Sequence, residues 1–104
     1  MNMIMGTMVK PQLRPIQIGG QFKTLEVTAE AGAVMPPHHC TSEAVVVVLE
    51  GEATLVMEEG GTPLVAGTSF LIPAGKTHTL NVARTFKATV IMGSNATLEF
   101  EGGK

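Results

Sequence analysis

The sequence predicts an all-β domain, a sandwich or barrel of short strands. Three observations carry that expectation: strand-like apolar runs recur at intervals of roughly 8 to 12 residues, Gly- and Pro-centred turns separate them, and no stretch has helical periodicity. The 104 residues fit one domain with one core. Hydrophobic residues make up 44% and charged residues 15%, a balance that favours a packed interior over disorder. With no Trp or Tyr and only four Phe, the packing must come from Val, Leu, Ile, Met and Ala. So little charge on so small a chain also predicts that a second copy covers some apolar surface, giving a homodimer.

Taken in order, residues 1–21 read as an N-terminal extended arm. Pro11 and Pro15 fix φ and push their predecessors towards extended conformations. Such an arm can pair with a partner's sheet and is the expected interface. From Phe22 an alternation begins, with Leu25, Val27 and Ala29 on one face, the pattern of a half-buried strand. Gly32 breaks it. Pro36 and Pro37, which cannot donate to a central ladder, mark a strand start or edge. Ala44–Leu49 is continuously apolar and too short for a typical helix, so it reads as a strand covered on both faces and ended by Gly51. Glu52–Met57 follows as a separate strand, with Glu58-Glu59-Gly60-Gly61 as a hairpin turn. Ser69–Ile72, His78–Val82, Phe86–Met92 and Leu98–Phe100 complete the set.

Several function classes are disfavoured by composition. The formal net charge is −2 and the Lys and Arg residues are scattered, so neither nucleic acid nor an anionic membrane is an expected partner. Cys40 is the single cysteine, which rules out an internal disulfide framework and suits a reducing cytosol. The first nine residues lack the features of a signal peptide and no run approaches membrane-spanning length, so a soluble cytoplasmic protein is expected. There is no nucleophile elbow, phosphate loop or dinucleotide fingerprint. His39 and Cys40 do not form a dyad as neighbours on a strand, because they face opposite sides. The seven methionines have no regular spacing and read as core and N-terminal composition rather than a copper-binding series.

Chemistry concentrates between Gly32 and Gly51, where His38, His39, Cys40 and Glu43 directly precede an apolar strand. A second point is His78, which follows the turn Pro73-Ala-Gly75. From about Leu25 to Phe100 the chain resembles the cupin superfamily. The second cupin motif runs Gly, five residues, Pro, one residue, Gly, two residues, His, three residues, Asn. It is matched by Gly67, Pro73, Gly75 and His78, with Asn81 one position early and Val82 in its place. The first motif is matched in part. Gly32, His38 and Gly51 fall in place, but Cys40 stands at the second histidine position and Ala44 at that of the metal-binding Glu. Anchoring on His39 and Glu43 restores their spacing but puts Pro37 at the first histidine position.

This resemblance implies a double-stranded β-helix, or jelly-roll barrel, over residues 22–104. It also implies a divalent transition metal held inside by imidazoles and a carboxylate. The in-register set here is His38, Cys40 and His78, with His39 and Glu43 one residue out of phase unless a bulge corrects them. The candidates are Zn, Fe, Mn, Ni and Cu, and a thiolate beside two imidazoles favours Zn, Fe or Cu over Mn. The expected function is a small cupin that binds a small molecule in its barrel, with a variant or incomplete metal site. The alternatives are a metal-dependent enzyme of dioxygenase or isomerase type and a metal-free sensor or interaction module.

Overall fold

The computed structural model describes residues 10–101, and all regular structure among them is β. The strands are β1 (Gln12–Ile18), β2 (Phe22–Ala29), β3 (Val34–Cys40), β4 (Ala44–Met57), β5 (Gly60–Val65), β6 (Ser69–Ile72), β7 (His78–Gly93) and β8 (Leu98–Phe100). No helix among the described residues is long and apolar enough to cross a membrane.

Two long strands tie the fold together. The first half of β4, Ala44–Val48, runs antiparallel to Met92–Ala88 of β7, while its second half, Ala53–Val56, runs antiparallel to Val82–Thr79. The late part of β7 also pairs with β2, and β2 with β1. The early part of β7 pairs with β3, and β3 with β8. On the far side β6 joins the first half of β4 and β5 joins its second half. The ladders therefore form two layers, β1-β2-β7-β4-β6 and β8-β3-β7-β4-β5, with β4 and β7 passing from one to the other. This is the jelly roll that the cupin resemblance implies.

Gly51 does not end a strand as expected; it bends one. The register slips three times between Val48 and Ala53, and Gly51 sits at φ +85° in the bend. A Cβ there would lie 1.9 Å from the Thr85 carbonyl oxygen, so glycine alone lets the two long strands cross this closely. For the same reason His78–Val82 and Phe86–Met92 are halves of one strand.

The core lies between the layers, where Val27, Val46, Val48, Leu55, Leu64, Leu80 and Phe86 are buried. Alternation in β2 is as the sequence predicts, with Val27 and Ala29 buried. The run from Ala44 is covered less evenly than expected. Ala44, Val46 and Val48 are buried, but Val45 and Val47 are half-buried and Leu49 is exposed, because among the described residues the outer face of that layer carries no further element.

Residues 12–18 of the expected arm are extended, and they pair with β2 of their own chain. Every residue of β1 is nevertheless exposed in the single chain. Met1–Val9, the rest of that arm before Lys10, lies outside the described residues.

Candidate functional site

The two prolines before His38 aim it. β3 pairs with β7 at Val34 and Met35, the register then slips across Pro36 and Pro37, and pairing resumes at His38. Neither proline can donate to a ladder, so a bulge forms where they stand. Its effect is to turn both Met35 and His38 inward although they are an odd number of residues apart, and Cys40 follows His38 on the same face. His78, the first residue of β7, is the direct register partner of His38. The ring centroids lie 4.2 Å apart at an interplanar angle of 62°. Phe100 of β8, also paired with His38, stacks on its ring at a centroid distance of 5.1 Å.

Both imidazoles are buried, His38 at 3% and His78 at 6% exposure. Nδ1 of His38 is 2.7 Å from the Pro36 carbonyl oxygen, and Nδ1 of His78 is 2.9 Å from that of Lys76. A carbonyl only accepts, so each Nδ1 carries the hydrogen and donates it. In a neutral ring this leaves Nε2 with a free lone pair, and neither Nε2 has a hydrogen-bond partner among the described residues. Burial pushes both pKa values below the ordinary histidine value. The carbonyl bonds oppose that shift, whereas His39 adds to it at both rings and His78 adds to it at His38.

Between the layers, beside this pair, lies a cavity of about 60 Å³. Eighteen residues line it, and the only side chains among them that carry nitrogen or sulfur are His38, His78, Cys40, Met35 and Met92. No lining side chain carries oxygen. Cys40 is buried, with its Sγ 3.8 Å from Sδ of Met92 and 3.9 Å from Oγ of Ser42. The cavity reaches towards the surface between the end strands β1 and β8, where the partly exposed Leu13 and Leu98 line it. At the opposite side it is closed by the buried Leu64 and Ile72.

Of the residues singled out in the sequence, His38, Cys40 and His78 thus line one cavity, and His39 and Glu43 do not. The Pro36–Pro37 bulge precedes both histidines, so it leaves His39 out of phase with His38. His39 faces outward, where its Nδ1 is 2.8 Å from Oε2 of Glu101 and its Nε2 is 3.9 Å from Oε1 of Glu99. Thr77 donates to the same Glu101 oxygen at 2.8 Å, and the Thr77 and His39 bonds together hold the Glu101 carboxyl below the usual carboxylate range. Glu43 is exposed in the turn between β3 and β4, beyond the last residue of β3. Met92, Phe100 and Leu98 went unrecognised in the sequence as site residues. The alternation of Leu98–Phe100 marks a strand, but nothing local tells that it pairs with β3.

The family model for the Cupin domain matches residues 25–92. This chain is a cupin. No curated protein matches it significantly. Solved structures share the fold at low identity. One is an uncharacterised conserved protein with a double-stranded β-helix domain from Klebsiella pneumoniae, 18% identical over 88% of this chain and 79% of that one, with a TM-score of 0.79. Another is an RmlC-like cupin from Desulfovibrio desulfuricans, 23% identical over 82% and 83% of the two chains, with a TM-score of 0.71. A third is salicylate 1,2-dioxygenase from Pseudoaminobacter salicylatoxidans with gentisate, 20% identical over 80% of this cupin but 25% of that chain, with a TM-score of 0.71. Identities this low carry the fold alone.

The histidine pair has the surroundings a metal ligand needs, since ligating imidazoles usually donate their other nitrogen to a carbonyl or carboxylate. The rest of the set expected from the family is not assembled. Among the described residues no three His, Cys, Asp or Glu side chains converge closely enough to hold an ion. The residues therefore do not fit a complete three-histidine, one-carboxylate centre.

Proposed function

We propose that this cupin binds a small, largely apolar molecule in its barrel, with the polar end of the ligand on Nε2 of His38 and His78. The reading is carried by one observation: an apolar cavity with no oxygen-bearing side chain in its lining, whose side-chain nitrogens belong to two buried imidazoles with their Nδ1 atoms already occupied. A neutral pair of this kind accepts an O–H or N–H from the ligand, or holds a metal ion that the ligand shares. Size narrows the choice. At 60 Å³ the cavity is well below the ~150 Å³ of an apolar cavity known to take a benzene ring. A ligand of a few heavy atoms fits as the walls stand, and a ring-sized one requires Leu13 and Leu98 to move apart.

The metal part of this reading is an incomplete site: His38 and His78 would supply two imidazole nitrogens, while Cys40 lines the same cavity without joining them in a group of three. An oxygenase or isomerase centre needs more protein ligands than two imidazoles offer, so a binding role is the better supported one. Native mass spectrometry of chain purified without an affinity tag or chelator tests the proposal, repeated on Ala44→Leu, which adds bulk to the cavity wall. A retained small molecule that Ala44→Leu excludes while the chain stays folded is the expected result. Equal retention by both forms would place the ligand outside the barrel and overturn the reading.

A homodimer belongs to the same proposal. The support is that β1, a whole strand, is exposed on the single chain with Leu13, Ile16 and Ile18 among its residues, and that the outer face around Val45, Leu49 and Leu71 is apolar too. A second copy is the occupant that would cover them.

A further inference from the structure

A cavity walled by buried side chains needs a way in. Of the residues lining this one, only Leu13, Leu25, Val90 and Leu98 are not buried. Leu25 and Val90 are partners in the β2–β7 ladder, and both strands are paired on their other side there as well, so neither moves without breaking two ladders. By contrast β1, β5, β6 and β8 are each paired to one neighbour only. Displacing β5 or β6 would bring the buried Leu64 or Ile72 into water. β1 is held along Gln12–Ile18 and by the Arg14 guanidinium, which donates to Oε1 of Glu26 at 2.7 Å. β8 is held least. Only Leu98, Glu99 and Phe100 pair, with Cys40, His39 and His38, and none of the three is buried.

The two ends of β8 are fastened differently. Before it, the turn 93–97 is tied into the body of the fold. Ser94 N donates to Gln21 O at 3.0 Å, Lys23 Nζ donates to Ala96 O at 2.6 Å, and Thr41 and Thr97 exchange hydrogen bonds at 3.0 Å, while Ala96 itself is buried. After β8 the fastening is a single residue. Glu101 N donates to Pro37 O at 3.0 Å, and Oε2 of the Glu101 carboxylate accepts from Nδ1 of His39 and Oγ1 of Thr77, both at 2.8 Å. His39 follows His38 and Thr77 precedes His78, so this one carboxylate ties β8 to the neighbours of both cavity imidazoles. A short edge strand held in this way opens locally at far lower cost than the core.

We propose that β8 is a hinged lid on the cavity: it swings about the 93–97 turn, and Glu101 latches it shut through His39 and Thr77. Swinging it away takes Leu98 off the cluster around Cys40 and Phe100 off the His38 ring, which uncovers the cavity beside its two imidazoles. The inference rests on the reading of the cavity as a binding site for a small, largely apolar molecule. A ring-sized ligand needs such a movement, since the closed cavity of about 60 Å³ is too small for one.

The test uses Cys40, the chain's only cysteine, which is buried in the cavity wall. The rate at which iodoacetamide alkylates it in the folded full-length chain reports opening and needs no ligand, so the lid stands or falls apart from the Ala44→Leu retention experiment. In the unaltered chain the rate should be nearly independent of low urea, as for a local opening, rather than follow global unfolding. Glu101→Ala should speed alkylation by about three- to tenfold, the gain in open population when two exposed hydrogen bonds to a carboxylate are lost, and Thr77→Val should speed it by less. Arg14→Gln, which releases the β1 ion pair instead, should leave the rate unchanged. Amide hydrogen exchange in Glu101→Ala should show protection lost in β8 and its β3 partners, with the β4–β7 ladder unchanged. Protection lost throughout the chain would mean a general destabilisation and overturn the proposal. So would alkylation that requires global unfolding, an unchanged rate in Glu101→Ala, or a rate raised as much by Arg14→Gln, which would make β1 the way in.

Discussion

His38 and His78 are buried imidazoles whose Nδ1 hydrogens are spent on the carbonyls of Pro36 and Lys76. Charging either ring puts a cation into an apolar cavity, and burial is the main reason both pKa values lie below the ordinary 6.5. The consequence for stability has a definite sign. In the unfolded chain these rings take up a proton near pH 6.5, whereas in the folded chain they resist until lower pH. Folding is then favoured in full above about pH 6.5, and that part of the stability is lost as pH falls through the depressed folded values. For metal-free protein, urea unfolding midpoints should drop between pH 7.5 and pH 5.5. Substituting both rings, as in His38→Gln/His78→Gln, should flatten this slope. The carboxylates with lowered values, Glu26, Glu59 and Glu101, act in a separate window below pH 4.5.

At the scale of elements, the fold depends on two irregularities. Gly51 lets β4 cross β7, and its left-handed φ together with the 1.9 Å approach to Thr85 O admits no Cβ. Gly51→Ala should cost more than about 3 kcal/mol in chemical denaturation, at the high end for single substitutions. Gly67→Ala is the control. Its φ is +89° but a Cβ there meets nothing within 4 Å, so it should cost only the backbone strain of about 1 to 2 kcal/mol. The second irregularity is the Pro36–Pro37 bulge that turns His38 inward. These two places also mark the limit of what the sequence discloses. Local pattern is enough for β2, the β5 hairpin and the Gly67–His78 motif, because each depends on neighbours in the chain. A glycine in a strand-like run, however, reads equally as a stop or a bend, and only the close passage of Thr85 decides. Likewise the partial first motif brings His38 and Cys40 forward but cannot reveal which side of the bulge each neighbour falls on. That is why His39 and Glu43 entered the expected site.

At the scale of the molecule, Leu64 of β5 and Ile72 of β6 line the cavity together with Leu13 and Leu98, which come from the end strands β1 and β8. Pro11 and Pro15 make β1 a poor template for further edge pairing, so its exposed apolar side chains are better covered face to face. Size-exclusion chromatography with light scattering should therefore give twice the mass of the chain. Ile16→Lys/Ile18→Lys should shift it towards the monomer with little loss of secondary structure. A monomer in the unaltered protein would remove β1 as an interface.

The most direct measurement is a long-range ¹H–¹⁵N NMR spectrum of the histidine side chains in metal-free protein at pH 6.5. His38 and His78 should both be predominantly neutral, with the hydrogen on Nδ1 and an unprotonated Nε2 facing the cavity. Hydrogen found on Nε2, or rings predominantly protonated at that pH, would contradict the account, because no free lone pair would then be available to receive a ligand or an ion.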